Sequence, residues 1–144
     1  MPAILRLVLA VVAGLFAGSM VNMGLIVVGG SLIPPPAGAD VSTAAGLQAS
    51  LHLFEPEHFL FPFLAHGLGT VAGAALAAWL APARAAAAAY AIGVLFLCAG
   101  IANVLMLPAP AWFEAVDLAL AYLPAAWLGR RLAAGGAAQH KNAP

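Results

Sequence analysis

The sequence predicts an all-α membrane protein: a compact bundle of four transmembrane helices plus a short amphipathic interfacial helix in the first outer loop. Three observations lead there. The 144 residues are 65% hydrophobic and 7% charged, with mean hydropathy +1.04. A soluble domain carries about 25% charged residues, and one this short could not hide so much apolar surface from water. Four stretches approach the roughly 20 apolar residues that a helix needs to cross a bilayer. Finally, positive and negative residues are sorted into different connections along the chain.

Residues 1–144 read as a single transmembrane domain. The first span covers about 4–28. Arg6 followed by apolar residues resembles a secretory leader, but the uncharged run continues to Ile33. That exceeds a leader's apolar region of roughly 7–15 residues, so a retained span is expected. Pro34, Pro35 and Pro36 stop it, because proline lacks the N–H and clashes with the preceding turn. The outer loop, 29–58, is too long to be idle. Within it, about 42–54, Leu47, Leu51 and Phe54 form an apolar stripe, and Gln48, His52 and Glu55 a polar one. An interfacial helix is expected there, with Asp40 as its cap.

Pro56 suits the first helical position leading into the second span, about 59–80. The turn Ala81-Pro82-Ala83-Arg84 leads to the third span, about 86–107, and Pro108-Ala109-Pro110 to the fourth, about 111–128. A tail, 129–144, follows; its His140 receives no role. Pro62 and Pro124 fall inside spans, where each should kink the helix and free the carbonyl of His58 or Leu120.

The basic residues Arg6, Arg84, Arg130, Arg131 and Lys141 lie at the N-terminus, in the second connection and in the tail. The acidic residues Asp40, Glu55, Glu57, Glu114 and Asp117 lie in the first connection or at the start of the fourth span. With four spans the two sets face opposite sides, and the positive-inside rule puts the N- and C-termini in the cytoplasm. Trp79, Tyr90 and Trp127 near the inner ends, and Phe59, Trp112 and Phe113 near the outer ends, match interfacial belts.

Small residues recur every four positions: Gly14 and Gly18 with Asn22, then Ala65, Gly69, Gly73 and Ala77, then Ala89 and Gly93. Such faces let helices approach closely in lipid. Asn22 and Asn103, each late in an outward span and before a proline-containing loop, hint at a parallel duplication. The single cysteine, Cys98, allows no intrachain disulfide. Zero net charge leaves no basic patch for nucleic acid.

Polar groups collect at one level. Asn22 lies about 27 Å along the first span and Asn103 about 25 Å along the third, both in the outer half. His66 lies about 10 Å inside the outer end of the second. Glu114 and Asp117 share a face at the start of the fourth. An ionised carboxylate at the bilayer centre costs about 2.5–3.5 kcal/mol on insertion scales, so Asp117 should face the bundle and seek a partner. His66 is the natural one, with the asparagines as donors. Asn22, His66, Asn103, Glu114 and Asp117 form the expected ligand site. A metal reading assigns His52, Glu55, His58 and His66 to a divalent ion such as zinc, completed by Glu114 or Asp117. The bland alternative leaves His52, Glu55, Glu57 and His58 solvated and His66 paired with Asp117.

The stretches Val21-Asn22-Met23-Gly24-Leu25, Pro34-Pro35-Pro36, His52 to Phe59, Phe61 to Gly67 and Met106 to Phe113 resemble those of an uncharacterised family of small bacterial four-span integral membrane proteins. The resemblance covers most of the chain and implies a bacterial inner membrane; it supplies no activity. Three function classes stay open. One is an outward-facing site that binds or transports a metal ion. Another is a structural or assembly partner, as a homo-oligomer or within a larger membrane complex. The third is an enzyme using His66 and Asp117 for acid–base chemistry. No serine or cysteine nucleophile lies at the right depth, which argues against acyl transfer.

Overall fold

A computed structural model describes residues 1–141, with side chains through 136. His140 and Lys141 therefore have no described side chains, and 142–144 lie outside the described residues. Six α-helices appear in order: α1 Ala3–Leu32, α2 Ala44–Ser50, α3 Leu60–Leu80, α4 Ala85–Met106, α5 Ala111–Leu120 and α6 Leu123–Lys141. Single 3-10 turns at Leu51–Leu53, Pro56–Phe59 and Pro82–Arg84 link them, and no strand is present among the described residues. Among the described residues three helical segments are long and apolar enough to cross a membrane: Ala3–Leu32, Pro56–Leu80 and Pro82–Met106, with mean hydropathy 2.2, 1.6 and 2.1. Val12, Phe16, Met20, Met23 and Val27 of α1 are exposed, an apolar face that a water-soluble monomer rarely carries.

Glycine decides how closely α1 and α3 meet. A Cβ on Gly14 would sit 2.6 Å from the Gly73 carbonyl oxygen, and one on Gly18 equally 2.6 Å from that of Gly69. Backbone therefore lies against backbone, which only glycine permits. At one end, Arg6 Nε donates to the Leu80 carbonyl at 2.6 Å, satisfying an orphan acceptor at the C-terminus of α3. The core at that end is built from alanine: Ala10, Ala74, Ala77, Ala78, Ala88, Ala89 and Ala126 surround Ile92. These small side chains let α3 pack against α1, α4 and α6 at once. The opposite end holds larger and polar residues, and there the helices separate around cavities.

Several boundaries differ from expectation. The helix in the long connection is seven residues, Ala44–Ser50, with one 3-10 turn after it. Its cap is Thr43, whose Oγ1 accepts from the Gly46 N–H at 2.9 Å. Asp40 instead accepts from both the N–H and hydroxyl of Ser42, closing a local turn. Pro56 does open the 3-10 turn before α3. Pro62 is the third residue of α3, where no intrahelical N–H is required.

The stretch expected as a fourth continuous span is two helices. Pro124 cannot sit above the Leu120 carbonyl in an unbroken helix. Accordingly α5 stops at Leu120, the chain turns at Ala121 and Tyr122, and α6 starts afresh at Leu123. Ala121 N–H closes α5 on the Asp117 carbonyl at 2.9 Å, and Ala126 N–H bonds the Tyr122 carbonyl at 2.8 Å. Pro124 then occupies the first turn of α6. Residues 129–141, expected as a tail, continue α6.

Candidate functional site

Three side chains from two neighbouring segments form a hydrogen-bonded chain. His66 lies in the second turn of α3, and its backbone carbonyl accepts from the Thr70 hydroxyl at 2.7 Å. Its Nδ1 lies 2.9 and 3.0 Å from the two carboxylate oxygens of Asp117 on α5. A carboxylate only accepts, so Nδ1–H is the donor. Tyr122 adds a second donor, its hydroxyl 2.9 Å from Asp117 Oδ2. The His66 and Tyr122 rings stack with centroids 5.9 Å apart. Asp117 is 4% exposed and Tyr122 3%, which makes these bonds expensive to leave unmade.

The arrangement sets the chemistry of the imidazole. With Nδ1–H committed to Asp117, Nε2 carries the lone pair of the neutral imidazole. The His66 side chain keeps 22% of its surface accessible and lines two cavities. The larger, about 520 Å³, runs between the end of α1, the long connection, α3 and the α4–α5 loop. Ile26, Leu51, Phe54, Phe59 and Phe113 give it an apolar wall, and His58, His66 and Asn103 its polar points. The smaller, about 280 Å³, shares His66 and Asn103 and adds Ser19, Asn22 and Tyr122. Concave, mainly apolar sites with a few convergent polar groups are where small molecules bind. His66 there can accept a hydrogen bond, exchange a proton, or offer one lone pair.

Gly100 makes room for this cluster: a Cβ there would lie 2.5 Å from the Tyr122 hydroxyl oxygen. Gly29 does the same for Phe61, against which any Cβ would collide. Phe59, Trp112 and Phe113 pack against one another at the cleft, Trp112 edge-on to both phenylalanines, with Phe59 and Phe113 centroids 4.8 Å apart.

The residues expected at the site divide. His66 and Asp117 come together as a pair. Asn22 and Asn103 share the smaller cavity with His66, but the donors to Asp117 are His66 and Tyr122 rather than an asparagine. Glu114 turns to the chain itself, its Oε1 accepting from the Ala109 N–H at 2.8 Å at the entry to α5. The metal set is not assembled. His52 and Glu55 are exposed, and His52 Nδ1 bonds the Ala49 carbonyl at 2.8 Å. His58 Nδ1 accepts from the Glu55 N–H at 3.1 Å, tied up in the turn that Pro56 creates. Among the described residues no three His, Cys, Asp or Glu side chains are placed to hold a metal ion.

Sequence reasoning missed Tyr122. It stands five residues after Asp117, a spacing that faces away on a continuous helix. The signal was Pro124, which breaks the helix and lets the phenol turn back. Ser19 lines the smaller cavity with His66, at a depth where no serine was expected. No family model matches the sequence, and neither does a curated protein or a solved structure.

Proposed function

We propose that the chain is a four-span bacterial inner-membrane protein with both termini in the cytoplasm, which binds a small amphipathic molecule in the His66 cleft from the outer side. In this reading α5 and the first half of α6 together make the fourth crossing, since the ten residues of α5 span only about 15 Å. Helix α2, with Leu47 on the cleft wall, lies at the outer interface. The sorting of charge by sign supports the orientation.

One observation carries the ligand class: Asp117 and Tyr122 hold His66 so that Nε2 is an acceptor in a mainly apolar cleft. The partner it suits is a hydrocarbon body with a hydroxyl or other donor at one end. A decanol carrying a diazirine in its chain tests this. Irradiation should label the segments around Phe54, Phe59 and Phe113, and His66→Ala should reduce labelling about 2–10-fold, the worth of one hydrogen bond. Equal labelling of both proteins, or label spread over the exposed face of α1, would refute the site.

A second reading is acid–base chemistry on the bound molecule. It is favoured by the same carboxylate-backed imidazole, which has the geometry of a general base, with Ser19 in the adjoining cavity. Metal transport loses ground because the candidate ligands are dispersed.

A further inference from the structure

We propose a second binding site at the other end of the molecule, where Arg130 and Arg131 take a phosphate group. A cavity of about 450 Å³ opens there between the end of α3, the Pro82–Arg84 turn and α6. Trp79, Pro82, Ala85, Arg130, Arg131 and Ala134 line it. Arg130 is half-buried, and its Nε is buried without a hydrogen-bond partner among the described residues. The Arg131 guanidinium sits 4.9 Å over the Trp127 ring.

Charge balance is what points to an anion. All five acidic residues, Asp40, Glu55, Glu57, Glu114 and Asp117, belong to the long connection or to α5. Among the described residues, the one contact at salt-bridge distance between a basic and an acidic side chain is His66 with Asp117. Among the described residues two adjacent guanidiniums therefore stand without a carboxylate, and one has a buried donor unmet. A partly desolvated charge is costly until an opposite charge meets it. The planar guanidinium fork matches the oxygens of a phosphate, which accept two bonds at once. Trp79 in the pocket wall and Trp127 beneath the Arg131 guanidinium are exposed, as tryptophans at the membrane–water boundary are. On the membrane reading above, the pocket lies at headgroup level, where basic pockets between helices recruit anionic lipids. The shared chemistry is a phosphate oxyanion, from a lipid headgroup or from free phosphate.

Native mass spectrometry of the full chain in mild detergent tests the site with three probes: phosphatidylglycerol, phosphatidylcholine of the same acyl chains, and inorganic phosphate. Wild type should retain phosphatidylglycerol over phosphatidylcholine about tenfold or more. Arg130→Gln/Arg131→Gln should abolish that preference. Arg84→Gln should keep it, because Arg84 is exposed at the same end but outside the cavity. Arg130→Lys/Arg131→Lys, which keeps charge but not the fork, should lose part of it. Helicity and elution profile establish that each variant is folded. If inorganic phosphate displaces the lipid at comparable concentration, the free ion is the ligand; if not, the headgroup is. Either result supports the site when the double glutamine variant removes it. Retention unchanged in that variant, equal loss in Arg84→Gln, or no preference and no phosphate binding in wild type would overturn it.

Discussion

Tyr122→Phe isolates one link of the chain that holds His66. The substitution removes a single oxygen and keeps the ring, so it opens no cavity. What is lost is the bond to Asp117 Oδ2 at 2.9 Å, between residues 3% and 4% exposed. Hydrogen bonds to charged groups contribute about 1.5–3 kcal/mol. Interhelical hydrogen bonds measured in membrane proteins average about 0.6 and reach about 1.7 kcal/mol. Two features place this one at the upper end of the second range: a carboxylate acceptor and near-complete burial. One holds it below the top of the first: Oδ2 keeps the His66 contact at 3.0 Å, so the carboxylate is not orphaned. A cost of about 1.5 kcal/mol follows. The assay is unfolding in dodecylmaltoside by titration with sodium dodecyl sulfate, followed by circular dichroism. Asp117→Ala, which strips the partner from both His66 and Tyr122, should cost about 3–5 kcal/mol. In the Asp117→Ala background Tyr122→Phe should then cost about 0.5 kcal/mol or less, since the bond is already gone. A Tyr122→Phe penalty that is the same in both backgrounds would refute the hydrogen-bonded chain.

Other consequences are equally specific. Gly73→Val should destabilise by about 1–3 kcal/mol in the same titration, because a Cβ there meets the Gly14 carbonyl oxygen at 2.6 Å, whereas Gly24→Val, with nothing within 4 Å, should be near neutral. Equal effects would dismiss the close approach of α1 and α3. Asp40 offers a pH test in the long connection. The Ser42 hydroxyl, and then its N–H, hold the Asp40 carboxyl below its ordinary value of 3.8. Because the turn favours the charged form, its contribution is complete above that ordinary value and is lost as pH falls through the lowered one. Protection of the Ser42 amide, read by hydrogen exchange corrected for intrinsic rate, should persist to a pH below 3.8 in wild type and be absent throughout in Asp40→Ala. Identical profiles would discard the turn.

Much of the architecture was legible because it depends on local composition. Three apolar runs of sufficient length, the prolines at 34–36, 108 and 110, and the four-residue spacing of Gly14, Gly18, Gly69 and Gly73 need no tertiary information. A buried carboxylate must find a partner, and Asp117 and His66 were the polar residues at matching depth, so their pairing could also be inferred. Among the described residues the metal set is not assembled, and the local geometry shows only in three dimensions: His52 and His58 each engage Nδ1 with a neighbouring backbone group. The cap of α2 is Thr43 because the helix begins only at Ala44, while Asp40, further upstream, engages Ser42.

The sequence by itself determined an apolar all-helical chain, its breaks and the sorting of its charges, because hydropathy, proline and net charge act along the chain. Tertiary structure alone decided that Tyr122 joins Asp117, that a cleft opens beside His66, and that Arg130 and Arg131 share a pocket with Trp79. Each of these rests on how helices approach one another after Pro124 restarts the last of them. Periodicity assigns a residue to a face of its own helix; it does not say which face of another helix will meet it.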